Sequence, residues 1–237
     1  MQEKRTVLHI VSSMSWRGGE QQVAYLIEEL KDKIDQFVLC SEGSLFEAHC
    51  KKANIPHFSQ RKKGGLDLAY ARRIKNICKG QQISLCHMHD AHAHTFAILA
   101  AAVFGNNTPL VLSRRVDFPI KNSWFSKYKY NHKAIQKILC VSAMIKEITA
   151  RGIKDNSKLE VVYSGIDLQK FQESDGSLRR ELGIPSTAFL VGNTSALADH
   201  KDYFTFLDVA EEVLRVEPSV YFVVLGDGPL KKEIHDY

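Results

Sequence analysis

The sequence predicts an α/β protein built on a Rossmann-like parallel sheet with helices on both faces. Short apolar runs typical of strands alternate with longer stretches of helical periodicity, and this rhythm favours strand–helix–strand crossovers. Several of the apolar runs, such as Val7–Val11, show no polar alternation, which indicates strands buried on both faces. In sheets of this kind, ligands bind outside the carboxyl ends of the strands.

The predicted elements follow in order along the chain. After the first strand, a polar loop at Ser12–Arg17 leads into a helix in which Val23, Leu26, Ile27 and Leu30 recur at helical spacing. Further strands are predicted at 36–40, 55–58, 83–90, 109–113, 138–142 and 160–163, and helices at 44–53, 66–79, 95–104 and 143–151, with a surface helix and turn inside 121–137.

The pattern predicts two domains of unequal size. Residues 1–167 form the first, residues 168–187 form a polar linker, and residues 188–237 restart the strand–helix alternation. Two strands and two helices bury too little apolar surface to stand as an independent domain. We therefore expect the second domain to be partial and the chain to be a fragment of a longer protein.

Composition and charge narrow the class of protein. Hydrophobic residues make up 44% of the 237 residues and charged residues 25%, as in ordinary globular proteins, and the formal net charge is +5. No apolar run reaches membrane-spanning length, and the N-terminus lacks the apolar core of a signal peptide. Five cysteines without a CxxC pair indicate buried free thiols. We expect a cytoplasmic protein, and peripheral contact with the inner face of the membrane is compatible with that location.

The turn after the first strand carries two adjacent glycines, Gly18 and Gly19. Glycines let the main chain approach a ligand closely, and the free amides at the start of the next helix favour an anion. The alternative is a tight turn that only packs the helix against the sheet.

Polar side chains from separate strands converge at the predicted carboxyl edge. They are the loop from Ser12 to Glu20, the group His87, His89 and Asp90, the group Arg114, Arg115 and Asp117, and Ser142. His89 either caps its strand through a hydrogen bond or acts on a ligand, whereas His9, inside a strand, is interpreted as structural. Arg115 and Asp117 either form an ion pair or orient an acceptor.

The histidines at the end of the fourth main strand raise the question of a metal site. His87 and His89 alternate on one face of a strand, and His92 or His94 could approach from the following loop. No cysteine or carboxylate completes a recognised ligand spacing. The sequence therefore predicts no metal and no other cofactor.

Five motifs in order resemble the GT-B glycosyltransferases, and specifically glycosyltransferase family 4. They are GGE at 18–20, HMH at 87–89, YSGID at 163–167 followed by Phe171, the series VGN…ALADHKD at 191–202, and LGDGPL at 225–230. The YSGID turn is similar to the family's NGxD turn, with serine in place of asparagine. The resemblance covers nearly the whole chain.

The resemblance implies a hexosyltransferase-type enzyme that moves a sugar from a nucleoside diphosphate to a glycan or lipid-linked acceptor with retention, as in polysaccharide or lipopolysaccharide biosynthesis. The first domain then faces the acceptor and the second holds the nucleotide-sugar donor, with no metal. By the same resemblance, the catalytic residues are His89 and Lys201, the donor-binding residues Gly18, Gly19 and Gly228, and the acceptor-binding residues His87, Arg115 and Asp117.

Two departures from the family pattern bear on activity. Ala196 stands where the family usually has an arginine, and the family's Glu-x7-Glu motif would lie beyond Tyr237. We therefore expect the fragment to be inactive alone, and a non-catalytic sugar- or nucleotide-binding module is the alternative. A dehydrogenase or epimerase is disfavoured because WRGGEQ at 16–21 lacks the GxGxxG fingerprint.

One segment mixes aromatic residues with cations, from Lys121 to Lys133. It fits an ordinary amphipathic surface, an interfacial membrane contact near a lipid-linked acceptor, or a nucleic-acid site, in that order of preference. No nucleic-acid partner is expected.

Overall fold

The computed structural model describes residues 5–171 and 176–237. The chain divides into two compact units, 1–167 and 168–237.

The first unit is built on a seven-stranded sheet in which every pairing is parallel. The strand order is β3-β2-β1-β4-β5-β6-β7. The predicted α/β class with a Rossmann-like parallel sheet is therefore confirmed. The strands are β1 Thr6–Val11, β2 Asp35–Ser41, β3 His57–Gln60, β4 Leu85–Met88, β5 Leu110–Arg114, β6 Ile135–Cys140 and β7 Leu159–Val161.

Six helices connect these strands and cover both faces of the sheet. They are α1 Gly18–Leu30, α2 Leu45–Lys52, α3 Leu68–Gly80, α4 Ala91–Phe104, α5 Trp124–Tyr130 and α6 Ala143–Ala150. Strand β4 is shorter than predicted because Asp90 leaves the sheet to cap α4, where its carboxylate accepts hydrogen bonds from the amides of His92 and Ala93. Gly105 ends α4 in the left-handed region at φ 63°, where glycine carries no side-chain penalty.

Alternating residues of the central strands feed two apolar cores. Leu8 and Ile10 pack with α3 and α4 on one face, and Val11 and Val38 pack with α1 and α2 on the other. His9 lies on the second face, because side chains alternate along a strand. The alternation therefore places the buried imidazole of His9 on the face that α1 covers.

The order of the strands reverses at β1. The chain moves outward from β1 through β2 to β3 and then returns to place β4 on the other side of β1. The connections on the two sides of such a point diverge, so that a crevice opens above the strand ends. The carboxyl ends of β1 and β4 therefore mark the topological switch point of this unit.

The second unit contains a parallel pair of strands, β8 Leu190–Thr194 and β9 Tyr221–Leu225, with helices α7 Ser177–Glu181, α8 Tyr203–Val216 and α9 Lys231–Asp236. Its incompleteness stays a prediction. All five cysteines are buried free thiols, as predicted. In the described part of the chain, no helix combines the length and the apolarity needed to cross a bilayer.

Candidate functional site

A row of polar side chains crosses the centre of the first sheet on the face that α1 covers. We call it the polar row, and its members, from β2 to the end of β5, are Gln36, His9, His87, His89, Ser113 and Arg115. His9 and His87 are direct partners in the β1–β4 register, and His89 lies two residues beyond His87 on the same face. Polar groups inside an otherwise apolar layer need partners, and most of this row is connected.

Hydrogen bonds join the row in two branches. In the first, His9 Nε2 lies 3.1 Å from Gln36 Oε1 and His9 Nδ1 lies 3.0 Å from His89 Nε2. In the second, His87 Nε2 lies 2.8 Å from Ser113 Oγ. The rings of His87 and His89 are in contact, with centroids 4.0 Å apart.

Burial keeps these imidazoles uncharged. It lowers the pKa of His9 to about 4, only partly opposed by the hydrogen bond to Gln36. The pKa values of His87 and His89 are held well below the usual range, mainly by burial and then by neighbouring imidazoles and the charge of Arg115. At neutral pH the three rings therefore act as neutral hydrogen-bonding groups.

Arg115 brings a positive charge to the end of the row. Burial lowers its pKa, while the carboxylate of Glu20 raises it. Its Nε and Nη1 atoms are buried without a hydrogen-bond partner. Two unpartnered N–H groups on one guanidinium suit an anion or a hydroxyl oxygen.

Asp117 lies apart from this arrangement. It is exposed, and among the described residues no ion pair joins it to Arg115. Of the two interpretations drawn from the sequence, the ion pair is absent from the structure. A contact between Asp117 and an acceptor stays a prediction.

The glycine loop opens α1 at the same edge of the sheet. A Cβ atom added at Gly18 or at Gly19 would meet nothing within 4 Å. Glu20 accepts a hydrogen bond from the amide of Arg17 at 2.9 Å, and this bond fixes the start of the helix. Because packing does not explain the two glycines, the open space beside them remains available to a ligand.

Gln22 holds the end of the first unit against the glycine-loop helix. Its side-chain amide donates to the carbonyl of Gly165 at 2.6 Å and accepts from the amide of Gly165 at 3.1 Å. Gly165 belongs to the YSGID turn. Two separate motifs of the sequence are thus tied together by one side chain.

Two predicted candidates have local structural roles. Asp90 accepts hydrogen bonds from the amide and the hydroxyl of Ser12 as well as capping α4, so that it locks the loop after β1. Ser142 caps α6 by accepting a hydrogen bond from the amide of Ile145.

The second unit carries Lys201 and Gly228. Lys201 ends a short 3₁₀ helix, Asp199–Lys201, and is exposed. Gly228 has a structural reason to be glycine, since a Cβ atom there would overlap the carbonyl oxygen of Leu197. The same loops are joined by a hydrogen bond from the amide of Leu197 to the carbonyl of Asp227 at 3.1 Å.

Three buried histidines lie close enough to hold a metal ion. One nitrogen from each of His9, His87 and His89 falls within 4.8 Å of the others. Neither His92 nor His94, suggested by the sequence, joins them, because α4 packs those rings against Phe96 and Tyr130. His9 and His89 already bond each other, and the nearby charge of Arg115 opposes a cation. The absence of a metal therefore stays the expectation.

Sequence reasoning missed the part that His9 and Gln36 play. The sequence places His9 inside a strand, which favours a structural role, and it identifies Gln36 only as part of the second strand. The available signal was a histidine in an apolar strand, since a buried imidazole needs partners. Those partners come from neighbouring strands, which sequence order does not reveal.

The seven-stranded parallel sheet with helices on both faces matches the fold of the GT-B class of glycosyltransferases. The chain belongs to glycosyltransferase family 4, whose family model matches residues 16–170.

Curated relatives and solved structures agree with this assignment. An Escherichia coli UDP-Gal:alpha-D-GlcNAc-diphosphoundecaprenol alpha-1,3-galactosyltransferase is 22% identical over 68% of this chain and 45% of its own length. The Bacillus subtilis protein EpsF is 21% identical over 98% of this chain and 65% of its own length. The structure of Anabaena HepE with UDP and glucose aligns with a TM-score of 0.78 at 17% identity, covering 98% of this chain and 65% of HepE. The chain thus spans 45% to 65% of the length of these proteins.

Proposed function

We propose that this chain is the acceptor-side domain and the first part of the donor domain of a retaining glycosyltransferase. The enzyme moves a sugar from a nucleoside-diphosphate sugar to a glycan or lipid-linked acceptor in the synthesis of a surface polysaccharide or lipopolysaccharide. The observation that carries the proposal is the family 4 match over residues 16–170, which contains most of the polar row. The UDP and glucose in the HepE structure support a nucleotide-sugar donor.

The first chemical requirement is stabilisation of the departing diphosphate. Cleavage of a sugar–phosphate bond builds negative charge on the leaving group, and cations and amides that are already in place stabilise it. In the proposed enzyme, the open turn at Gly18 and Gly19 admits phosphate groups to the amides of α1. Lys201, in the second unit, is a cation of the kind that stabilises a diphosphate. Gly228 keeps the neighbouring turn of that unit compact.

The second requirement is alignment of the acceptor hydroxyl with the anomeric carbon. Holding two reactants in place removes much of the entropic barrier. In the proposed enzyme, His89 contacts the reacting sugar, while His87, Arg115 and Asp117 face the acceptor. The diphosphoundecaprenol acceptor of the Escherichia coli relative supports a lipid-linked acceptor.

A donor screen on the complete gene product tests the proposal. Purified protein is incubated with UDP- and GDP-sugars and a glycan or polyprenyl-diphosphate acceptor, and the product is identified by mass spectrometry with the anomeric configuration assigned by NMR. We expect one donor class to give a retained linkage. Lys201→Met should lower turnover at least tenfold, while the exposed Lys232→Met in the same unit should not. Inversion, or no transfer from any donor, contradicts the proposal.

A second candidate is a sugar- or nucleotide-binding module without turnover, and Ala196 is the observation that favours it. The family's usual arginine is missing there, so that one donor-side cation is lost. Isothermal titration with UDP, GDP and their sugars separates the two functions. Micromolar binding with no product from the complete gene product would support the module.

Membrane contact is a further part of the proposal. Trp124 is 77% exposed, its ring stacks on Tyr128, and a hollow of about 490 Å³ beside them is lined by Lys127, Lys133 and Lys154. Exposed aromatics beside cations suit the surface of an anionic bilayer. Vesicles in which about a third of the lipid is anionic attract basic protein surfaces, so that the protein should sediment with them. The double variant with Trp124→Ala and Lys127→Glu should stay in the supernatant. Lys79→Glu, at the end of α3, is the control.

A further inference from the structure

Gln36 has a fixed orientation. Its side-chain NH₂ group donates to the carbonyl of Ile27 at 2.9 Å, and a carbonyl oxygen can only accept. The other end of the amide, Oε1, must therefore face His9. The choice between the two amide orientations is made by the backbone of α1.

This orientation determines the tautomer of His9. Oε1 of Gln36 only accepts, so His9 Nε2, 3.1 Å away, carries the hydrogen. A neutral imidazole has a single N–H, and the low pKa of His9 keeps the ring neutral. His9 Nδ1 is consequently a lone-pair acceptor.

The same argument passes to His89. Its Nε2 lies 3.0 Å from His9 Nδ1. Because His9 Nδ1 carries no hydrogen, the hydrogen of this bond must be on His89 Nε2, which donates it. His89 is also neutral, because burial holds its pKa well below the usual range. His89 Nδ1 is therefore left as an acceptor, and it is buried without a partner.

His89 Nδ1 is not the only unpartnered polar atom in this part of the site. Arg115 is close enough for its charge to act on His89, and its Nε and Nη1 hydrogens have no partner. A hydroxyl group satisfies both sides, because its hydrogen donates to an imidazole nitrogen while its oxygen accepts from a guanidinium. A carboxylate or phosphate would satisfy Arg115 but would face the lone pair of His89.

We propose that Gln36 and His9 are positioning residues that fix His89 as the Nε2–H tautomer, so that its Nδ1 and Arg115 together bind a hydroxyl group. Within the proposed function, this hydroxyl belongs to the sugar that is transferred or to the acceptor sugar. The hydrogen-bond chain itself does not depend on that function.

Two other histidines provide internal references for the tautomers. His94 Nε2 lies 3.2 Å from the carbonyl of Lys129, so that it is an Nε2–H tautomer. His57 Nδ1 lies 2.8 Å from the carbonyl of Ile55, so that it is an Nδ1–H tautomer. The chain thus contains one clear example of each form.

Long-range ¹H–¹⁵N NMR of the chain labelled with ¹⁵N-histidine reads the tautomers directly. At neutral pH, His9 and His89 should both show the pattern of His94. The pattern of His57 in either ring overturns the proposal. The zinc content of the same sample is measured by mass spectrometry, and stoichiometric zinc whose removal changes these signals would assign the cluster to a metal instead.

Replacing Gln36, the acceptor at the end of the row of hydrogen bonds, with a donor tests the direction in which those bonds run. In Gln36→Lys, the ammonium group donates to His9 Nε2, and both His9 and His89 should invert to the pattern of His57 in at least half of the molecules. Gln81→Lys, on an exposed site after α3, should leave both unchanged. Inversion of one ring without the other, or of neither, removes Gln36 from its proposed role. Should Gln36→Lys fail to fold, the wild-type spectrum still decides the tautomers.

The measurement also separates this inference from the proposed function. The tautomers are read in the absence of sugar donor and sugar acceptor. A protein without transfer activity can therefore still show the proposed series of hydrogen bonds. In an active gene product, Gln36→Lys should lower kcat at least tenfold with little change in the KM for the donor. Normal kcat in a variant with inverted tautomers would show that His89 Nδ1 does not bind a hydroxyl group of either sugar.

Discussion

Arg114 and Arg115 are neighbours in the sequence, but among the residues that the structure describes only the guanidinium of Arg114 finds hydrogen-bond partners. Arg114 donates through Nη1 to the hydroxyl of Tyr130 at 2.6 Å and through Nη2 to the carbonyl of Phe118. Arg115 has two buried N–H groups without a partner. One residue of difference places the two charges on opposite faces of the sheet.

Methionine at each position should therefore have opposite effects on stability. Arg115→Met removes a half-buried guanidinium with two unpartnered nitrogen atoms and should raise the free energy of unfolding by about 1 kcal/mol. Arg114→Met removes the donor to the hydroxyl of half-buried Tyr130 and to the carbonyl of Phe118 and should lower it by about 1–3 kcal/mol. Urea unfolding is followed by the fluorescence of Trp16 and Trp124, both in the first unit. A loss of stability in Arg115→Met would show that its N–H groups are satisfied in solution.

The buried histidines predict a loss of stability below pH 6.5. Burial holds the folded-state pKa values of His9, His87, His89 and His94 below 6.5, the ordinary value for histidine, so that the unfolded chain binds protons first as the pH falls. Their contribution to the free energy of unfolding is complete above pH 6.5. Below it, each of these rings lowers the free energy of unfolding by about 1.4 kcal/mol per pH unit. For His9 the loss levels off near pH 4.

Urea unfolding at pH 7.5, 6.5, 6.0 and 5.5 measures this dependence. His94→Gln keeps a donor for the carbonyl of Lys129 but cannot titrate, so that its slope should be smaller by about 1.4 kcal/mol per pH unit below pH 6. Equal stability at pH 7.5 and 5.5 would show that the four rings titrate normally in the folded state.

Alanine at Gly19 should separate stability from ligand binding. The added methyl group meets nothing within 4 Å and reduces the conformational freedom of the unfolded chain, so that stability should stay level or rise by about 0.5–1 kcal/mol. Phosphate groups that approach the main chain would meet the methyl group, and nucleotide-sugar binding by the complete gene product should fall at least tenfold.

Gly80→Ala is the matched control for that change. Gly80 is also helical and open on all sides, but it lies at the far end of α3. It should gain similar stability with no change in binding. Equal binding by both variants would indicate that the glycine pair serves only the turn.

Alanine at Gly228, in contrast to alanine at Gly19, should lower stability. Its Cβ atom would overlap the carbonyl of Leu197 and lie 2.8 Å from the amide nitrogen of Leu197. Backbone must move to admit it, and we expect the second unit to lose about 2 kcal/mol or more. Gly192→Ala, whose Cβ would lie 3.9 Å from the nearest atom, is the control. Hydrogen exchange at the amides of β8 and β9 reports on this unit, and unchanged protection in Gly228→Ala would contradict the expectation.

The fold could be predicted from the sequence because its signals are local. Apolar runs such as Val7–Val11 and the glycine turn after them are read within a few residues, and the alternation of strands and helices determines a parallel sheet. The convergence of His89 and Arg115 also followed, since both come at the ends of parallel strands.

The connections inside the site could not be predicted. The partner of His89 is His9, 80 positions away, and the partner of His9 is on a third strand. Register decides these contacts, and register depends on how three strands pack with their helices. The same limit explains why His92 and His94 were considered as companions of His87, although α4 directs them elsewhere.

The polar row lies mainly on strands, while the glycine turn and Asp117 lie at their ends or beyond. A change in the length or sequence of the loops after β1 or β5 alters which side chains lie next to the polar row. It leaves the register of the strands that carry the row unchanged. One rigid framework can thus be inherited unchanged while the segments around it diversify. For protein engineering, this separates the positions to randomise from those to leave alone: a library confined to residues 116–123 would vary selectivity while keeping the histidine framework intact.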